Sequence, residues 1–107
     1  MSALSTGRLK TPARVITLIR SETPFGGAIE TREQQGVIWG DFQPRTPVEL
    51  PLEGGGALLR QYAEFHCRSA GSALRGALLS LSGEDWTILS VAEDASGDVL
   101  ISLERRL

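Results

Sequence analysis

Ser82-Gly83-Glu84-Asp85-Trp86-Thr87-Ile88-Leu89-Ser90-Val91, continued by Ala95-Ser96-Gly97-Asp98 and Val99-Leu100-Ile101-Ser102-Leu103, decides the fold class. Both apolar runs are short and rich in aromatic and β-branched residues, which suit a pleated surface better than a helix. Gly, Ser and Asp, the residues of tight reversals, bound each run. Two strands follow, 86–91 and 99–103, with turns at 82–85 and 95–98.

The same grammar extends upstream. Leu59 to Arg68 reads as a strand with Leu59, Ala63, Phe65 and Cys67 on one side and Arg60, Glu64, His66 and Arg68 on the other. A turn at 69–72 follows it, and Leu74 to Leu81 fits either helical or strand period. Ala13 to Arg20 is a β-branched first strand after Pro12, and Ser21 to Gly27 is a turn holding Pro24 and Gly26-Gly27. Ala28 to Gln43 reads either as one long bent strand with a bulge at Gly36 or as two strands with a turn; the former is favoured, because strong bends help small barrels close. The fold class expected is all-β: a small single-domain β-barrel of about six antiparallel strands. Residues 1–12 form a flexible arm and 13–107 the barrel in this reading. Val15, Trp39, Phe65, Trp86 and Ile88 are its core anchors.

Residues 44–58 are the odd segment. Pro44, Pro47 and Pro51 exclude a ladder strand or a helix in this reading. Val48, Leu50 and Leu52 are nevertheless apolar at alternate positions, which a solvated linker does not need. Gly54, Gly55 and Gly56 then read as a hinge. A loop of this length within a compact domain is usually functional or disordered.

With 107 residues the chain is long enough for one domain. Its 41% hydrophobic and 22% charged content is that of a globular protein, and its net charge of −2 argues against a dedicated nucleic-acid binder. Arg8, Lys10, Arg14 and Arg20 make the start basic; Glu84, Asp85, Glu93, Asp94 and Asp98 make the late region acidic. Such asymmetry is most simply solvated surface, although it could orient subunits in a ring. No apolar run approaches the ~20 residues needed to cross a bilayer, and the first residues lack the apolar stretch of a secretion signal. A cytoplasmic product is therefore expected.

Chemistry finds little footing. Cys67 reads as a core thiol and His66 as its outward neighbour, a poor geometry for a dyad. One His and one Cys offer no metal-ligand spacing. Gly54-Gly55-Gly56 is followed by Ala57-Leu58 and not by the Lys-Ser/Thr of a phosphate loop. Glu84-Asp85 reads as solvated turn chemistry. No catalytic residue, metal or cofactor is expected.

Two stretches in combination resemble the phage head–tail joining proteins, also called head-closure or stopper proteins. The first runs from Arg14-Val15-Ile16-Thr17 through Phe25-Gly26-Gly27-Ala28-Ile29-Glu30-Thr31 to Gly36-Val37-Ile38-Trp39-Gly40-Asp41-Phe42-Gln43-Pro44. The second joins Leu78 to Ser82 with Gly83, Trp86-Thr87-Ile88-Leu89-Ser90-Val91, an acidic turn and a last apolar strand. The order matches a basic first strand, an "F-G-G-x-x-x-T" reversal, a strand with a central Trp and a late "G-x-x-[FWY]-x-I-x-x-V" hairpin, over roughly residues 13–104. The Pro/Gly-rich segment and Phe65-His66-Cys67-Arg68 depart from that pattern.

The resemblance implies a non-enzymatic virion protein at the head–tail interface of a phage or a phage-derived gene transfer agent, made in the bacterial cytoplasm. It implies a ring of six or twelve copies, between a portal–adaptor on the head side and a tail-terminator or tail tube protein on the other. Double-stranded DNA would pass through it without sequence-specific binding. Arg45, Val48, Leu50, Leu52, Gly54, Gly55 and Gly56 would then be the channel or gate loop. Two other readings remain: a tail-terminator or tail-completion protein, and a stand-alone OB- or SH3-like binding module.

Overall fold

The computed structural model describes residues 11–69, 71, 73 and 75–107. Seven strands follow in order: β1 (Thr11–Glu22), β2 (Ala28–Pro44), β3 (Val48–Pro51), β4 (Ala57–Cys67), β5 (Leu78–Leu81), β6 (Glu84–Glu93) and β7 (Val99–Arg106). They form one antiparallel sheet of order β2-β1-β5-β6-β7-β4-β3. An additional β2–β4 pairing closes six of the strands into a ring, with β3 appended outside it on β4.

The closure rests on β2, the long bent strand expected from the sequence. Its first part pairs with β1, from Glu22↔Ala28 to Thr11↔Gly40; its last part pairs with β4, from Gly40↔Cys67 to Pro44↔Ala63. Gly40 is the residue shared by both ladders. A Cβ there would lie 2.5 Å from the His66 carbonyl oxygen and 2.5 Å from a Phe65 ring carbon. The Phe65 ring therefore fills the space that a side chain on β2 would occupy.

The register of β1 against β2 shifts between Val15↔Gly36 and Ile16↔Gln34, so Gln35 is the extra residue of a bulge. The bulge reverses which side of β2 faces inward. Beyond it, Ile38 and Phe42 pack on the core whereas Val37 and Trp39 face outward. This corrects the expectation that Trp39 anchors the core: it is 55% exposed. The inner position beside it is Gly40, already occupied by Phe65. Val15, Phe65, Trp86 and Ile88 are fully buried, together with Leu79, Leu81, Ile101, Leu103 and Cys67. Phe42 meets Trp86 edge-on at 5.4 Å, and the Arg105 guanidinium lies 5.0 Å from the centre of the Trp86 ring.

Two further corrections concern proline. Thr11 and Pro12, assigned to a flexible arm, belong to β1; residues 1–10 of that arm lie outside the described residues. Pro12 pairs with β2 alone, since β5 pairs only with Arg14–Ile16, so its other edge carries no ladder. The segment 44–58, read as excluded from ladders, holds β3, which pairs with β4 from Val48↔Arg60 to Pro51↔Ala57. β3 is an edge strand, flanked by Pro47 and ending on Pro51, where a proline costs no second ladder.

Three hairpins turn alike. In 23–27, 52–56 and 94–98 the first residue's N–H donates to the fifth residue's carbonyl, and the fourth residue's N–H donates back to the first. The fourth residue is Gly26, Gly55 or Gly97, all at positive φ, as in a type I turn followed by a glycine bulge. The β5–β6 turn is the two-residue alternative, Ser82 and Gly83 with φ of 50° and 81°.

The radius of gyration is 16.0 Å and the extents are 52 × 38 × 25 Å. A compact chain of 100 residues has a radius of about 13 Å. The excess comes from hairpins that leave the ring: β1–β2 beyond Ile16, where β5 pairing ends, and β3–β4.

Gly40→Ala should therefore lower stability by about 1–3 kcal/mol, the cost of forcing a methyl group into a filled site. Trp86→Ala should cost about 3–5 kcal/mol, whereas Trp39→Ala should stay within about 0.5 kcal/mol. Urea unfolding of the three variants checks this ranking, and iodide should quench Trp39 fluorescence and spare Trp86.

Candidate assembly surfaces

The hairpin of β3 and β4 carries the residues expected to form a gate. Val48 and Leu50 are two apart on β3 and face one side, joined through the register by Arg60 and Leu58. Leu50 and Leu58 are half-buried; Val48 and Leu52 are exposed. Gly54, Gly55 and Gly56 have φ of 88°, 104° and 82°, and open space surrounds each. Three successive residues in that region require glycine for backbone reasons alone. They build a defined turn, closed by Leu52 N–H to Gly56 O and Gly55 N–H to Leu52 O, both 3.2 Å. This replaces the expected hinge.

Arg45 sits at the base of this hairpin and is tied to β4. Its N–H donates to the Tyr62 carbonyl at 2.9 Å, its carbonyl accepts from Gln61 Nε2 at 2.9 Å, and its guanidinium reaches Glu64 Oε1 at 2.6 Å. Glu64 also meets His66 Nε2 at 3.2 Å. The hydrogen bond from Arg45, and after it that from His66, hold the Glu64 carboxyl below the usual carboxylate range. Arg45, Glu64 and His66 thus form a polar network on the outer face of β4.

His66 and Cys67 lie on opposite faces of β4, half-buried and fully buried, as the alternation requires. Burial pushes the Cys67 thiol up to about 11. No group of three or more His, Cys, Asp or Glu side chains is placed to hold a metal among the described residues.

The remaining notable surfaces are apolar, and the sequence reading missed both. One is the free part of the β1–β2 hairpin, hereafter the arm. Phe25 at its tip is 96% exposed, and Ile19 and Ile29 are exposed along it. The other is an open depression lined by Val37, Ile38, Trp39, Arg68, Ser69 and Gly71, beside the exposed Val37 and Trp39 side chains. The signal for both was present as odd-numbered apolar residues along 29–39, but the bulge at Gln35 separates them onto opposite faces.

No protein-family model matches the chain, and no curated protein matches it. The fold is similar to that of a chain in the solved structure "Virion of native gene transfer agent (GTA) particle", with a TM-score of 0.66 and 19% sequence identity. The similarity covers 94% of this chain and 96% of that chain. At this identity it establishes a shared fold.

A thiol held near 11 stays protonated at neutral pH and is also sterically enclosed. Cys67 should therefore react with a disulfide reagent at pH 8 only when urea unfolds the domain. Stoichiometric reaction of the folded protein within minutes would contradict the burial.

Proposed function

We propose that this protein is a structural subunit of a phage or gene-transfer-agent particle, forming the stopper ring of the head–tail connector. The observation that carries the reading is the end-to-end fold similarity with a chain of the gene transfer agent virion, at nearly equal length. The particle assignment is supported by that chain's place in a gene transfer agent virion. The connector position follows from the motif order 14–44 and 78–103, which resembles head–tail joining proteins.

The physical design supports assembly rather than turnover. The ring interior is filled by Phe65, Trp86, Leu79, Ile88, Ile101 and Leu103, leaving side-chain chemistry to the outside. Two hairpins project apolar residues that a single subunit leaves in water. A subunit in a ring needs broad, rigid contact surfaces of this kind. The β3–β4 hairpin is the proposed gate element. Because its ladder is already formed, it would enter the channel as a preformed finger, with Arg45 tying its base to β4. The portal–adaptor and the tail-terminator or tail tube protein are the proposed axial neighbours, and DNA the molecule retained.

Replacing Val48, Leu50 and Leu52 together by Ser should leave the domain folded, with midpoint urea shifted modestly by loss of the Leu50–Leu58 contact. Particles assembled with it should leak DNA or fail to join tails. Normal DNA retention and tail joining by a folded triple variant would refute the gate role of the hairpin. Separately, labelled protein should mark the portal vertex of particles; label at the far end of the tail would refute the connector position.

A further inference from the structure

The arm is an amphipathic ribbon whose inner face continues the core of its own subunit. On β1, Ala13 and Val15 are buried, and Thr17, Ile19 and Ser21 follow on the same side. Their partners on β2 are Glu33, Thr31 and Ile29. That face is therefore apolar or hydroxylic except for Glu33. The other face carries Leu18, Arg20 and Glu22 opposite Arg32, Glu30 and Ala28, and Arg32 donates to Asp85 at 2.8 Å. So the charged side of the ribbon is tied back to its own subunit at Asp85, and the side bearing Ile19 and Ile29 is left uncovered. A two-stranded ribbon with one uncovered apolar face is marginal in water.

The depression at Val37 and Trp39 is its counterpart. Beside it, exposed Val37 and Trp39 lie on the outer face of the β1–β2 ladder, where Pro12 pairs with Trp39 and Arg14 with Val37. Arg14 makes no ion pair among the described residues, and the arm's inner face offers Glu33. The arm cannot fold back onto this patch. Ile29 and Val37 are eight residues apart on one extended strand, about 26 Å, and the bulge sets them on opposite faces.

We infer that the inner face of the arm, with Ile19, Ile29 and Phe25, docks onto the Pro12, Val37 and Trp39 patch of a second copy of this chain. Two different patches on one chain make a head-to-tail contact, and such contacts generate rings when the rotation closes. Glu33 of one copy and Arg14 of the next give the contact its polarity. The inference rests on the ring reading above and supplies its lateral interface. The nearly unreactive Cys67 makes disulfide trapping clean.

The experiment uses the full chain in three variants that each add one cysteine to buried Cys67: Ile29→Cys, Val37→Cys and, as a collision control on exposed β6, Ala92→Cys. Each is incubated at high concentration with a mild oxidant, alone and in pairs. Head-to-tail docking gives a disulfide dimer in the Ile29→Cys with Val37→Cys mixture, formed on the order of a hundred-fold faster than the Ile29→Cys with Ala92→Cys pair. The double variant Ile29→Cys/Val37→Cys should give a ladder ending at one closed species. Ile29→Cys trapping itself as fast as the mixture would mean arm-to-arm pairing and overturn the proposal. Equal rates in both mixtures overturn it as well. Quenching of Trp39 by a single-stranded oligonucleotide, without the cross-link, would reassign the patch to nucleic acid. The cross-link reads the lateral contact in purified protein, while labelling of particles reads the position of the ring, so the two readings fail separately.

Discussion

Everything in this fold depends on β2 changing partners at Gly40. The six-strand ring closes because β2 pairs with β1 along one stretch and with β4 along the next, and Gly40, in both ladders, meets the chain from both sides. The Phe65 ring and the His66 carbonyl come so close there that no side chain fits. Phe65 in turn lies at the centre of the core, and Phe42, opposite it in the ladder, meets Trp86 edge-on. The close approach at one glycine thus links ring closure to core packing. Substituting it would strain both at once.

The bulge at Gln35 is the second constraint. Without it, alternation along β2 would carry Ile29, Thr31, Val37 and Trp39 on one face. With it, Ile29 lies on the core side of the sheet and Trp39 on the outside. This is where sequence reading stopped. The strands and turns were legible because β-branched runs alternate with Gly-bearing reversals, and the long bent β2 was legible from Gly36. A bulge of one residue, however, changes the phase of everything after it, and phase depends on which β1 residue pairs with which β2 residue. Trp39 was taken for core because a Trp in an apolar strand usually is; nothing local to Val37-Ile38-Trp39 reveals that Phe65 has taken the inner position.

Proline misled in the opposite direction. Three prolines in 44–51 were read as excluding any ladder strand, and β3 overturns that: they forbid a central strand but not a four-residue edge strand whose outer side needs no partner. The alternation of Val48, Leu50 and Leu52 was the better signal, since it reports a strand face. The glycines after it were legible as a reversal, and their positive φ values fix a turn rather than free a hinge.

That distinction changes the energetics of assembly. Ordering a free loop costs about 1–2 kcal/mol per residue in backbone entropy, a cost that each copy in a ring would incur again. Here the β3–β4 ladder and the Arg45 contacts to Tyr62 and Glu64 are formed within one subunit. The arm is likewise prepaired along β1 and β2 and tied to the body through Arg32 and Asp85. Apolar burial between copies is then offset mainly by lost rigid-body freedom and side-chain ordering. A chain of 107 residues can therefore combine a small closed core with long reach, because its reach is made of paired strands. The ribbon is too narrow to give a large contact by itself. In the proposed ring, lateral association of isolated subunits should therefore be weak, and the proposed portal–adaptor neighbour would have to arrange the copies side by side.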